Sequence, residues 1–196
     1  MNFANPAAIF VSSFIIALSG ALMPGPLLAV TVRDTTRHGF VAAPLLVLGH
    51  GILELALLAL LLLGLAEWLK GEVATTFIAL AGSAALLWMG TGMVREVRSL
   101  RFETSVGAAK SGGAPAGGAP GFWRPVADGV LASVSNPYWS LWWATIGLGY
   151  LVLSSGQGAV GVASFFAGHI LADAAWFLFV GMTVSMGRGR FSDRVY

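Results

Sequence analysis

Long apolar runs dominate this sequence and restrict its fold more than any other feature. Each run is close to, or longer than, the ~20 residues that an α-helix needs to cross the hydrocarbon core of a bilayer. Their approximate bounds are 7–32, 40–65, 73–94, 122–153 and 160–186. We therefore predict an all-α membrane protein with five transmembrane helices in this chain.

The composition agrees with this class of fold. Charged residues make up 10% of the chain and hydrophobic residues 57%, whereas a soluble domain carries about 25% charged residues. So little charge cannot cover a soluble surface. The chain has no cysteine, which excludes a disulfide framework, a thiol-ligated metal site and an iron–sulfur cluster.

The second and fifth runs carry the same short polar motif, a Gly-His pair with an acid four residues after the His. The pairs are His50 with Glu54 and His169 with Asp173. Residues four apart share one face of a helix and lie about 6 Å apart along its axis. Ionisable side chains at membrane depth are costly and usually face a bundle interior. The two pairs therefore predict a pore or carrier built around them.

The first and fourth runs are each interrupted by proline. The first is broken at Pro24, Gly25 and Pro26, and the fourth at Asn136 and Pro137. Proline removes a backbone donor and clashes with the preceding turn, so the helix kinks or unwinds there. Open backbone at membrane depth survives only where it is buried in protein or lines a cavity.

The basic residues predict the orientation of the chain. Of the 11 Lys and Arg residues, ten fall in the loops after runs one and three and in the C-terminal tail, and only Lys70 falls on the other side. The positive-inside rule then places the N-terminus outside and the Arg-rich loops in the cytoplasm. Counting 1.5 Å per residue from the cytoplasmic ends puts His50 level with Asp173, and Glu54 level with His169, at roughly 20 to 28 Å.

The order of breaks and motifs predicts two inverted three-helix repeats within a single membrane domain, 1–196. Repeat one would cover 1–98, a Gly-, Ala- and Pro-rich cytoplasmic loop 99–121, and repeat two 122–196. Matching interruptions in two halves point to a transporter site at the interface between the repeats. The pattern calls for a sixth helix, equivalent to run three, and repeat two lacks it here.

The breaks and their surroundings resemble the LysE/RhtB superfamily of amino-acid exporters. The resemblance rests on Pro24-Gly25-Pro26, on the Gly-spaced second run, and on the segment from Asn136-Pro137 to Trp143. It implies a six-helix inner-membrane carrier, not an enzyme, that exports amino acids or similar small solutes by secondary active, proton-coupled transport. The motif positions then become expected substrate-binding residues: Pro24, Gly25, Pro26, Asn136 and Pro137.

The acid–His pairs suit proton coupling in such a carrier. We expect Glu54 and Asp173 to alternate between a proton and the substrate ammonium group, so both also count as substrate-binding. His50 and His169 would relay protons or orient the acids, since histidine titrates near neutral pH. Freed N–H groups at the breaks suit the substrate carboxylate.

Other interpretations stay open. Proline breaks also occur as packing kinks, and an intramembrane His can be a neutral hydrogen-bonding group worth roughly 0.6 kcal/mol. Export of a metal cation or a small anion is the alternative function. An intramembrane metal-dependent enzyme is less favoured, because the order H-x-x-x-E is not the H-E-x-x-H zinc motif. The expected partners are an amino-acid substrate and membrane lipid, without nucleic acid, cofactor or resident metal; a homodimer is left open.

Overall fold

The computed structural model describes residues 5–65 and 121–188, and positions 72, 73, 76, 80, 84, 87 and 91. Throughout this part of the chain the regular structure is helical, without strands, which confirms the all-α prediction. Most of run three and nearly all of the loop 99–121 lie outside the described residues. The helices are α1 (Pro6–Ala21), α2 (Pro26–His38), α3 (Ala42–Leu60), α4 (Trp123–Val134), α5 (Pro137–Trp142), α6 (Leu148–Ser155) and α7 (Gly158–Arg188).

The first apolar run is broken where the prolines predict. Helix α1 ends at Ala21, α2 begins at Pro26, and their axes differ by 77°. Pro26 suits the first position of a helix, where no backbone N–H is needed. The prediction of a loop directly after run one is wrong, because residues 33–38 form the last turns of α2. This helix ends at His38 and is followed by Gly39 with φ 81°.

The fourth run is also divided at its predicted break. The side chain of Asn136 accepts a 3.1 Å hydrogen bond from the backbone N–H of Tyr138, and Pro137 starts α5. A π-helical turn, Trp143–Gly147, then joins α5 to α6. Such turns widen the helix locally and are frequent at functional sites.

Helices α3 and α7 bury the face that carries the His–acid pair and expose an apolar face. Leu55 and Phe179, for example, are 54% and 55% exposed, which suits contact with lipid tails. Among the residues that the structure describes, two helical segments are long and apolar enough to cross a membrane, Ala42–Gly64 and Gly158–Gly187, and a third is added if α1 and α2 form one bent span. The total of five spans and the inverted repeat stay predictions. The face of each long helix that points inward carries buried residues four apart: Leu46, His50, Glu54 and Leu58 on α3, and Phe165, His169, Asp173 and Phe177 on α7.

The glycine before each His lets a neighbouring helix approach closely. A Cβ on Gly49 would collide with the backbone of Val126 in α4, and a Cβ on Gly168 would collide with the backbone of Phe10 in α1. Small residues at such crossings bring membrane helices into backbone contact. Helix α3 therefore packs on α4 and α7 packs on α1, so that each His lies next to a helix crossing.

Candidate functional site

The four ionisable side chains of the paired motif meet between α3 and α7, and we call them the tetrad. The Nε2 atom of His169 lies 2.9 Å from Oε2 of Glu54. The Nε2 atom of His50 lies 3.5 Å from Oδ2 of Asp173. Within each helix, the His–acid distance is 3.3 Å. The cross-helix pairs are those predicted from depth counting.

One carboxylate oxygen of Glu54, Oε1, is surrounded by three hydrogen-bond donors, while the other, Oε2, has none among the described residues. Its Oε1 accepts from the indole Nε1–H of Trp143 at 2.9 Å and of Trp139 at 3.1 Å. The Nε2 of His169 lies 3.0 Å from the same oxygen. Only 1% of the residue is exposed. Hydrogen bonds from several N–H groups favour a carboxylate over a carboxylic acid, so this site holds Glu54 as a fixed anion.

Ser133 lies beside the second ring nitrogen of His50. Its hydroxyl oxygen is 2.8 Å from the carbonyl oxygen of Gly129 and 2.8 Å from Nδ1 of His50. A hydroxyl has only one hydrogen to donate, so when Ser133 donates to Gly129, the Nδ1–H of His50 donates to Ser133. The opposite nitrogen, Nε2, faces the acids.

Asp173 contrasts with Glu54. Among the residues that the structure describes, none makes a hydrogen bond to Oδ2 of Asp173, although this oxygen is buried. Its nearest ionisable neighbours are the Nε2 atoms of His169 at 3.3 Å and His50 at 3.5 Å. A buried oxygen without a donor is costly when charged. Asp173 is therefore the acid that is free to take up a proton or a cation.

A pocket joins the tetrad to both helix breaks. It contains about 510 Å³ of space when its open mouth is included. The breaks meet at its wall, since a Cβ on Gly25 would lie 3.0 Å from Nδ2 of Asn136. Its other lining residues combine small and aromatic side chains, with Ala17, Gly20, Ala21, Met23, Leu27, Leu28, Ser133, Tyr138, Trp139, Trp142 and Phe177.

The structure places the predicted residues in two groups. Six of them line the pocket: Gly25, His50, Glu54, Asn136, His169 and Asp173. Pro24, Pro26 and Pro137 are not in its lining; Pro26 and Pro137 begin α2 and α5, and Pro24 is exposed just before α2. The prolines therefore shape the pocket through the breaks they cause.

Sequence reasoning missed the groups that surround the tetrad. No tryptophan was among the predicted site residues, yet Trp139 and Trp143 donate to Glu54. A signal was present, because these two residues are four apart after the Pro137 break and so share a helix face. Ser133 lies four residues before Pro137, about one helical turn before the predicted break.

Broken helices around a buried polar pocket, enclosed by helices with apolar outer faces, define a membrane transport protein. The chain belongs to the LysE type translocator family, whose model matches residues 18–196. This match confirms the resemblance to the LysE/RhtB superfamily and makes the protein a membrane translocator of small solutes. No curated protein and no solved structure matches the chain.

Proposed function

We propose that this translocator is a secondary active exporter of amino acids or related small solutes, driven by the proton gradient across the inner (plasma) membrane. The observation that carries the proposal is Oδ2 of Asp173, which accepts no hydrogen bond from the described residues and lies beside His50 on the wall of a pocket that reaches both helix breaks. A carrier that exchanges protons for substrate needs one group able to bind either of them. Asp173 meets that requirement.

The proton and the substrate would compete for Asp173. With the pocket open to the cytoplasm, the acid releases its proton and accepts the ammonium group of the substrate. With the pocket open to the outside, the ammonium group leaves and a proton returns. His50 Nε2 lies 3.5 Å from Oδ2 of Asp173, so it can hold the proton in transit. Each cycle then moves one substrate outwards and brings one proton inwards.

The fixed charge of Glu54 supports the same cycle. Two indole N–H groups and His169 hold it in place, so it stays in the pocket while Asp173 changes its partner. The faces of aromatic side chains in the pocket lining add attraction for a cation, typically worth 0.5 to 2 kcal/mol for a close contact. Glu54 and the aromatic side chains therefore favour a substrate with a positive group.

Two further elements of the proposal concern the membrane. The N-terminus would lie outside and the Arg-rich loops in the cytoplasm, as the distribution of basic residues predicts. The contacts of α3 with α4 and of α7 with α1 support an inverted repeat, because each motif helix packs on the first helix of the other half. Cysteine labelling from either side of the membrane tests the orientation, and the chain's lack of cysteine makes single-cysteine variants simple to interpret.

Transport into everted membrane vesicles tests the function, because such vesicles take up what the cell exports. The wild type should accumulate amino acids when a proton gradient is imposed and release them when it is collapsed. Asp173→Asn should abolish both uphill uptake and exchange. Glu54→Gln should abolish uphill uptake, while its carbonyl still accepts the indole hydrogen bonds and allows gradient-independent exchange.

Glu72→Gln is the control, because Glu72 is exposed and lies outside the pocket; it should transport like the wild type. If Asp173→Asn and Glu54→Gln both keep wild-type rates and pH dependence, the site is not in the tetrad.

Metal-cation export is the second candidate function. One ligand atom from each of His50, Glu54 and Asp173 lies within 4.8 Å of the others, and imidazole and carboxylate are suitable ligands for Zn²⁺ or Mn²⁺. Two carboxylates in the same pocket disfavour a small anion. Uptake of Zn²⁺ or Mn²⁺, and no uptake of amino acids, by the same vesicles would decide for this alternative.

A further inference from the structure

Trp142 differs from the other two tryptophans of its segment. Trp139 and Trp143 both donate their indole N–H to Glu54. Trp142 is only 6% exposed and lines the pocket. Among the described residues, none accepts a hydrogen bond from its Nε1–H. A buried donor without an acceptor is destabilising, and a ligand oxygen would remove that penalty.

The space beside this indole is kept open by glycine. A Cβ on Gly20 would lie 3.3 Å from Nε1 of Trp142, closer than most side-chain contacts. Gly20 also lines the pocket and lies one residue before the end of α1. Because this position has no side chain, the buried N–H lies against the part of the pocket wall that Gly20 forms.

The start of α2 offers a second set of donors in the same pocket. No side chain caps α2 at Gly25, and the next two residues that carry a backbone N–H, Leu27 and Leu28, line the pocket. Free N–H groups and the helix dipole at such an N-terminus attract anions. The corresponding end of α5 is already capped by Asn136.

We propose that the indole N–H of Trp142 and the uncapped start of α2 bind the carboxylate of the substrate, while Asp173 binds its ammonium group. The pocket would then select zwitterions, with the carboxylate towards the first break and the ammonium towards the tetrad. This assignment rests on the proposed amino-acid export and names its binding groups. Trp142 is thus a specificity residue, in contrast to its two neighbours, which hold Glu54.

Paired substrates test the assignment in everted vesicles. Uptake is measured for each of the twenty standard amino acids, and then, for each amino acid that is taken up, for the amine that lacks its carboxyl group, at about pH 6.5, where both amino groups stay charged. Trp142→Phe keeps an aromatic ring but removes the N–H. We expect it to raise KM for the amino acid about tenfold and to leave KM for the amine within twofold of wild type.

Two further variants keep the test decisive. Gly20→Ala adds a Cβ beside the indole and should raise KM for the amino acid in the same selective way, even if Trp142→Phe does not fold. Trp176→Phe is the matched control, since Nε1 of Trp176 also has no partner among the described residues but does not line the pocket. Its KM values should equal those of the wild type.

The outcomes separate the two proposals. If the wild type takes up no amino acid, the proposed function fails and this assignment fails with it. If the wild type takes up amino acids, but Trp142→Phe and Gly20→Ala leave KM unchanged or raise it equally for the amino acid and for the amine that lacks the carboxyl group, only the carboxylate assignment is overturned.

Discussion

The two halves of the chain carry the same motifs but leave different groups unsatisfied. In the first half, Oε1 of Glu54 accepts from two indoles and a histidine, and the helix after the break, α2, has no side-chain cap from the described residues. In the second half, Asp173 has an oxygen without a hydrogen-bond donor among the described residues, and the helix after the break, α5, is capped by Asn136. Each half therefore supplies one open group, an anion site from the first and a cation site from the second.

This difference shows how a repeated motif can form an asymmetric site. If both acids were saturated and both helices capped, the pocket would contain no group free to bind a substrate. If all four were open, the pocket would hold two unpaired carboxylates close together, and like charges at that separation repel strongly in a low dielectric. The observed division avoids both extremes, and it suits a substrate that has one positive and one negative end.

Replacing each acid with Ala in turn should give the largest difference between the halves, and the difference should be in the free energy of unfolding. Glu54→Ala leaves two indole N–H groups and His169 without an acceptor, and the loss of one partner from a buried charged network typically costs about 3 to 5 kcal/mol. Asp173→Ala removes an acid whose Oδ2 has no hydrogen bond from the described residues and only the 3.5 and 3.3 Å contacts to the two histidines, so its cost in unfolding free energy should be smaller. Unfolding of the purified protein in mixed micelles of rising denaturing-detergent content measures both. Equal losses of stability would contradict the division of roles.

Changes at the two breaks should have the next largest effect, on transport. Replacing Pro24 and Pro26 with Ala removes the residues that disfavour a continuous helix by about 3 kcal/mol each, so α1 and α2 should straighten and close the pocket. Export should stop while membrane insertion is unchanged. Asn136→Ala removes a cap worth about 1 kcal/mol and should reduce export only partly. Vesicle uptake normalised to the amount of inserted protein compares the two changes.

A gain of continuous helix without loss of export would show that the first break is only a packing kink. A complete loss of export in Asn136→Ala, with normal insertion, would instead make the second break the more important one.

The two histidines should differ in their effect on the pH profile. His50 Nε2 faces Asp173, while His169 Nε2 is 2.9 Å from the fixed anion Glu54. Without His50, the acid loses the basic group to which it passes its proton. The pH optimum of export should then move upwards by about one unit, with KM changed less than threefold. His169→Ala should shift the optimum less. Initial uptake rates between pH 5.5 and 8.5 measure both profiles, and equal shifts would remove the distinction.

Local sequence patterns predicted much of the arrangement, and tertiary contacts explain the rest. The i, i+4 spacing of each motif and the count of basic residues were sufficient to pair His50 with Asp173 and Glu54 with His169. The proline positions were sufficient to place both breaks. The indole donors to Glu54 could not be found in the same way, because the contact joins Trp143 to a residue 89 positions away. The helical state of residues 33–38 was missed because charge was given more weight than the helix start at Pro26.

Removing an ion pair between the two halves should have the smallest effect, a small loss of stability. Arg33 on α2 contacts Asp128 on α4 at 3.1 Å, and the Arg33 side chain is 46% exposed. Exposed pairs contribute about 0 to 1 kcal/mol and are screened by salt. Arg33→Gln should therefore lower stability by less than about 1 kcal/mol at low salt, and by less again at 0.5 M salt. Arg37→Gln, at the exposed end of the same helix, is the control. A loss of export above about fivefold in Arg33→Gln alone would show that this contact takes part in opening and closing the pocket, beyond simply stabilising the packing of α2 on α4.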